Sequence, residues 1–167
     1  MADVVANVLV GVAEVFYHTT PGTAPASVST EFGYTNDGIS WTYTNTSYEV
    51  EVEESTWPLK PVITKESFEV TINCAESLLA NLQQAMAGAL TGGAGIIDLG
   101  GGAMQDIALK IIAPFSAGHT LTIYVPYAAP VGSVNVAYKK GEKTIIPITF
   151  RAYRGVAGAD VVTFTEA

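Results

Sequence analysis

Tyr48-Glu49-Val50-Glu51-Val52-Glu53-Glu54 is the stretch on which the reading of this chain turns. Tyr48, Val50 and Val52 alternate with Glu49, Glu51 and Glu53. In an extended strand a period of two sends the two sets to opposite faces. Charge is sparse elsewhere: 14% of residues are charged, against about 25% in typical soluble chains. Four of the sixteen acidic residues nonetheless fall between Glu49 and Glu54. Carboxylates two apart on one strand face repel, so such a face is tolerable only against water or a basic partner. Two readings follow. One is a solvated outer strand whose acidic side chains blunt an aggregation-prone edge. The other is a negative surface built to face something.

Working outward, residues 39–44 also alternate apolar and polar, and Asn45-Thr46-Ser47 breaks the chain before the acidic strand. The pair predicts a hairpin over residues 39–54, entered through the turn signal Asn36-Asp37-Gly38. Residues 55–64 carry Trp57, Pro58 and Pro61, which excludes an interior strand. Residues 65–73 alternate again, with Phe68, Val70 and Ile72 on one face. A helix over about residues 75–90 follows, opened by Asn73 or Ala75. Leu78, Leu79, Leu82, Ala85, Met86 and Ala89 recur there at helical spacing. Gly88 and Thr91-Gly92-Gly93 stop it, and a Gly-rich loop runs to about residue 104.

On the N-terminal side, residues 4–17 read as one strand, or as two joined at Gly11, and residues 18–29 as an exposed loop. On the C-terminal side, strands are predicted at 106–113, 119–127, 133–139, 144–153 and 161–165, with Lys140-Gly141-Glu142 joining the third and fourth as a hairpin. Pro147 requires a bulge or an edge in its strand. The architecture expected is mainly β: a β-sandwich or open barrel with one flanking helix, in a single domain over residues 1–167.

Composition bounds the function. Hydrophobic residues make up 49% of the 167 and mean hydropathy is +0.30. No stretch approaches the roughly 20 apolar residues of a membrane helix. The longest candidate, residues 4–16, is interrupted by Asn7, Gly11 and Glu14 and lacks a basic lead, so it makes a poor signal peptide. So much apolar material predicts either a large monomeric core or surface buried between subunits. The net charge of −8 argues against holding nucleic acid by phosphate neutralisation, which needs clustered Lys and Arg. It does not argue against a surface past which nucleic acid slides. Cys74 is the only cysteine, so no intrachain disulfide forms, and its apolar setting marks it as a small hydrophobe.

Catalytic constellations do not emerge. His18 and His119 have no cysteine or second histidine at metal-ligand spacing. Gly92-Gly93-Ala94-Gly95 and Gly100-Gly101-Gly102 lack the ending of a P-loop and the spacing of a dinucleotide fingerprint. No G-x-S-x-G elbow occurs. Carboxylates adjacent on one strand are a poor match to a glycosidase pair flanking one bond. Asn45-Thr46-Ser47 fits a glycosylation sequon, a pattern common by chance. The chain is therefore expected not to be an enzyme and to need neither cofactor nor metal.

Taken in order, several segments resemble the major tail tube proteins of long-tailed, siphovirus-like bacteriophages. They are the opening strand from Val8 to Tyr17, Phe32-Gly33-Tyr34-Thr35-Asn36-Asp37-Gly38-Ile39-Ser40-Trp41-Thr42, the acidic strand, Trp57-Pro58-Leu59-Lys60-Pro61-Val62-Ile63-Thr64, the strand-to-helix run from Phe68 to Leu82, and Ile145-Ile146-Pro147-Ile148-Thr149-Phe150-Arg151-Ala152-Tyr153. Their order, with a single helix between two β halves, is more specific than any one of them. The segment from Thr91 to Ala103 has no counterpart in the resemblance. The resemblance implies a β-sandwich subunit that assembles into hexameric rings and stacks into a hollow tube through which DNA passes during ejection. It also implies the partners of such a subunit: further copies of itself, the tape measure, tail terminator and distal tail proteins, and DNA in transit without specific binding. No membrane is involved, and the location implied is the virion tail, with the host cytoplasm during assembly.

Within that frame Glu49, Glu51 and Glu53 are expected to line the lumen, where negative charge keeps DNA from sticking. Trp57, Pro58 and Leu59 are expected on a projecting loop that contacts a neighbouring subunit; the competing expectation is that Trp57 caps its own sandwich. Other functions remain open from the residues alone. They are the inner tube of a contractile injection or secretion machine, a monomeric β-sandwich binding module, and a bacterial surface fibre subunit.

Overall fold

A computed structural model of the chain describes residues 13–25, 31–33, 35–51, 53–54, 57–76, 79–86, 97, 105–115, 118–138, 140–156 and 159–167. The elements in chain order are β1 (Glu14–His18), β2 (Thr35–Val50), β3 (Lys60–Cys74), α1 (Leu79–Ala85), β4 (Ile107–Pro114), β5 (Thr120–Pro130), β6 (Ile146–Ala152) and β7 (Thr163–Glu166). The strands form one antiparallel sheet in the order β1-β4-β5-β6-β3-β2, with β7 added to β5. The mainly β architecture with one helix among the described residues agrees with the alternation in the sequence.

Period-two alternation supplies the core. Val70, Ile72 and Cys74 of β3 point the same way as Ile146, Ile148 and Phe150 of β6, and all six are buried. Leu109 and Ile111 of β4 and Ile123 and Val125 of β5 continue the same layer. Burying each such side chain is worth roughly 1.5–3 kcal/mol. The sheet curls on this layer in the manner of an open barrel. Phe32 packs at a tilt against Tyr17 of β1, with ring centroids 4.6 Å apart, and against Phe150 of β6, at 5.8 Å. One ring thus ties together two strands that lie three places apart in the sheet.

Several expectations change. The predicted turn at Asn36-Asp37-Gly38 lies inside β2. Thr35 pairs with Cys74 and Ile39 with Ile72, so β2 carries extra residues at this point and Gly38 takes a φ of +76°. The turn residues make a bulge because β3 pairs with β2 on both sides of them. The predicted break at Asn45-Thr46-Ser47 is also strand. There the extra residue belongs to β3: Thr46 faces Lys65, Ser47 faces Ile63, and Thr64 Oγ1 donates to the Thr46 carbonyl at 3.0 Å. The predicted hairpin within residues 39–54 does not form: residues 39–44 and 48–50 lie in the one strand β2, and the hairpin instead pairs Thr35–Val50 with Lys60–Cys74. Residues 60–64 are strand despite Pro61. They lie beyond the reach of β6, whose pairing with β3 ends at Glu69, so Pro61 sits on an edge as its missing N–H requires. Pro147 likewise lies where β6 has run past the end of β5, whose pairing stops at Pro130.

Residues 133–138 do not form a strand. Val134 and Val136 pack against the core, so their alternation records burial rather than pairing. Lys140-Gly141-Glu142 is a turn, with φ of +85° at Gly141, but not a hairpin between two strands. The helix covers Leu79–Ala85, and its buried positions are Asn81, Gln84 and Ala85. Leu79 is exposed instead of facing the core, while Leu82 is partly buried as expected. Residues 1–12, Leu78, residues 87–90 and most of the Gly-rich loop lie outside the described residues, and with them the start of the opening strand and the helix stop.

Candidate functional site

Among the described residues, the part of β3 before Glu69 has β2 on one side and no strand on the other. Residues 41–49 and 60–66 are exposed throughout, so both faces of this two-stranded arm meet solvent. At about 3.3 Å per residue, Lys60 lies roughly 25 Å from Phe68, the last buried side chain of β3. An isolated two-stranded ribbon is marginal in water unless something packs against it. This one nevertheless exposes Tyr48 (64%), Val62 and Ile63 along its length and Trp57 (79%) and Leu59 (62%) at its end. Exposed apolar groups gathered on one projection mark a contact surface.

The acidic residues sit at the same end. The strand stops at Val50, Leu59 N–H closes the hairpin by donating to the Val50 carbonyl at 2.8 Å, and Glu53 and Glu54 form a turn. Glu49 is therefore the only one of the three expected lumen carboxylates that lies in a strand. Glu49, Glu51 and Glu53 are all exposed, but no common strand face carries them. Val50 is half-buried in the hairpin rather than packed into a sandwich, and Val52 lies outside the described residues. Trp57, Pro58 and Leu59 are brought together at the tip, all exposed, so Trp57 does not cap its own core.

An aromatic hub fixes the arm to the body. Trp41 stacks on Phe68 at 5.7 Å, and Phe164 of β7 meets both edge-on, at 5.6 and 5.9 Å. Beside this hub lies an open groove of about 890 Å³, lined also by Tyr43, Glu66, Arg154, Asp160 and Val162. Tyr43 Oη donates to Glu66 Oε1 at 2.6 Å, and that bond raises the Tyr43 pKa by holding its proton. On the opposite face, Arg151 Nε donates to Glu69 Oε1 at 2.8 Å across the β3–β6 pair. Sequence reasoning missed this hub, because Phe164 lies far along the chain and only the pairing of β7 with β5 carries it there.

The far end of the sheet differs in charge. Cys74 pairs with Ile146, and the described residues leading into Ile146 include Lys140 and Lys143, two of the eight basic residues. Tyr138, beside them, is 79% exposed. The clustering of these lysines was the available signal in the sequence. Among the other singled-out residues, His18 Nδ1 accepts the Thr20 N–H at 3.0 Å, and His119 Nδ1 lies 3.7 Å from Glu166 Oε1. Cys74 is fully buried, and burial pushes its thiol up to about 11. At neutral pH it stays protonated and behaves as a small apolar group.

No family model matches the chain. No curated protein matches it either. Among solved structures it is similar to a chain from the virion of a native gene transfer agent particle, with 13% identity over 79% of this chain and 85% of that one and a TM-score of 0.45. A similarity this loose carries no argument about function.

Proposed function

We propose that this chain is a structural subunit of a phage-like particle, and specifically a tail tube subunit that assembles with copies of itself into a conduit for DNA. The observation that carries the proposal is the arm: a long hairpin exposing apolar side chains on both faces and an aromatic residue at its tip, with no core of its own behind it. The resemblance of the ordered segments to tail tube proteins supports the same reading. So does the net charge of −8, which leaves a bore that phosphate does not adhere to. The lumen assignment of Glu49, Glu51 and Glu53 needed one shared strand face. Carboxylates on a projecting arm suit a contact between copies better than a flat inner wall.

Negative-stain electron microscopy of the concentrated protein, with and without a tail-tip complex as nucleus, tests this. Rings or tubes are expected. A particle that stays monomeric with the nucleus supplied would sink the reading. In the same assay Trp57→Ala should block assembly while leaving the thermal transition of the monomer within about 0.5 kcal/mol of the parent, as for other exposed positions. The groove beside Trp41 favours a second reading, a monomeric module that binds an apolar segment there, and a persistent monomer would favour it.

A further inference from the structure

Strands β6 and β7 lie on the same side of β5: β6 pairs with residues 128–130 and β7 with residues 121–124, while β4 takes the other side. β6 in turn pairs with β3. Among the described residues β7 has no second partner, and on that side β3 before Glu69 has none either. The sheet therefore splits, and two open strand edges flank the groove beside Trp41. The edge of β7 presents usable groups. Thr120 and Ala167 exchange both of their main-chain bonds, so alternation makes Phe164 and Glu166 turn their N–H and C=O groups away from β5. We propose that the groove receives an extended, arginine-bearing segment of another protein, added as a strand to the free edge of β7.

Three features of the groove select this occupant. Its volume, about 890 Å³, lies within the roughly 300–1,000 Å³ of ligand sites. Trp41, Tyr43 and Phe164 line it and stay about half exposed, at 47%, 48% and 48%, which leaves aromatic surface for an incoming side chain to cover. Glu66 and Asp160 outnumber Arg154 there, which favours a cation. Arginine meets both demands: its planar head lies on an aromatic ring while donating to a carboxylate. Main-chain bonds to the open edge supply affinity, and the arginine supplies selection. A second copy does not fit. The arm, the long exposed strand pair that a copy would offer, carries Glu49, Glu51, Glu53, Glu54 and Glu66 against Lys60 and Lys65, and the whole chain carries −8. Like charges would meet at the groove. The site belongs to each single chain and does not depend on self-assembly.

The test is a binding titration on the full-length chain carrying Trp57→Phe, which leaves Trp41 as the one tryptophan, so that its fluorescence reports the groove. Sedimentation fixes a concentration at which the chain is monomeric. The probe is a capped peptide, Thr-Val-Arg-Val-Arg-Val-Thr. It should shift the Trp41 emission and bind about tenfold more tightly than the same peptide with glutamate in place of arginine. Glu66→Gln with Asp160→Asn, checked for folding by circular dichroism, should weaken binding about fivefold, and added salt should weaken it too. Two further peptides are methylated on alternate main-chain nitrogens, one in each register; every side chain is kept, and one of the two should bind about tenfold more weakly. Bound peptide should slow hydrogen exchange at the Phe164 and Glu166 amides. Equal binding of the arginine and glutamate peptides, two methylated peptides that bind like the parent, or unchanged exchange at those amides overturns the proposal. Protection of the two amides that rises with protein concentration in the absence of peptide gives the edge to a second copy and overturns it as well. Tubes that form from a chain that fails to bind the peptide remove this proposal and keep the assembly reading; a chain that binds the peptide but never assembles does the reverse.

Discussion

Asn81 holds α1 to the sheet through one buried amide. Its Nδ2 donates to the Phe32 carbonyl at 2.9 Å and to the Glu76 carbonyl at 3.2 Å, and Phe32 is the ring that ties β1 to β6. Asn81→Ala leaves the buried Phe32 carbonyl without this donor, so a loss of about 1–3 kcal/mol is expected in urea unfolding. A loss under about 0.5 kcal/mol, the range of ordinary surface changes, would deny the anchor. Cys74 gives a pH prediction. Its folded pKa, about 11, lies above the ordinary thiol value of 9.0, so the unfolded chain gives up this proton first. The stability it contributes is full below pH 9 and falls as pH rises toward 11. Alkylation of the native protein should accordingly be slow at pH 8 and become fast on unfolding. Burial raises Tyr17 and Tyr153 in the same direction, which adds to alkaline lability. The apolar role of Cys74 was legible from its neighbours in the strand. The role of Asn81 was not, because a polar residue on a helix marks a solvent face unless its partner, here Phe32, is known to lie above it.

At the level of elements, removal of the arm tests folding and the proposed assembly separately. Replacing residues 51–59 by Asn-Gly joins Val50 to Lys60 through a two-residue turn of the kind hairpins favour. The shortened chain should keep its melting temperature within a few degrees and lose assembly; a drop of more than about 10 °C would show that the tip supports the fold. The strands themselves were largely readable, since Phe68, Val70 and Ile72 or Ile146, Ile148 and Phe150 alternate without exception. Their ends were not. Asn36-Asp37-Gly38 and Asn45-Thr46-Ser47 carry turn chemistry, yet pairing with β3 continues through both and converts them to bulges. Val134 and Val136 show the reverse error: burial against the core produced the alternation without strand pairing. The acidic ladder suffered in the same way, because alternation along Glu49, Glu51 and Glu53 says nothing about where the hairpin turns.

For the whole molecule, pairing is dominated by distant partners: Glu14 with Ile112, Glu69 with Arg151, and Leu121 with Glu166. Loop closure must precede most of the burial, so refolding on the scale of about milliseconds to seconds is expected in stopped-flow fluorescence. Microsecond refolding would contradict the topology. The arm also has a mechanical meaning. It is a lever roughly 25 Å long whose fulcrum is the Trp41–Phe68–Phe164 hub, and a 5° tilt at the hub sweeps its tip by about 2 Å. In an assembly of the proposed kind, copies coupled through such levers would share out curvature as small tilts at many fulcrums, so that a long assembly would flex while each subunit body stayed rigid.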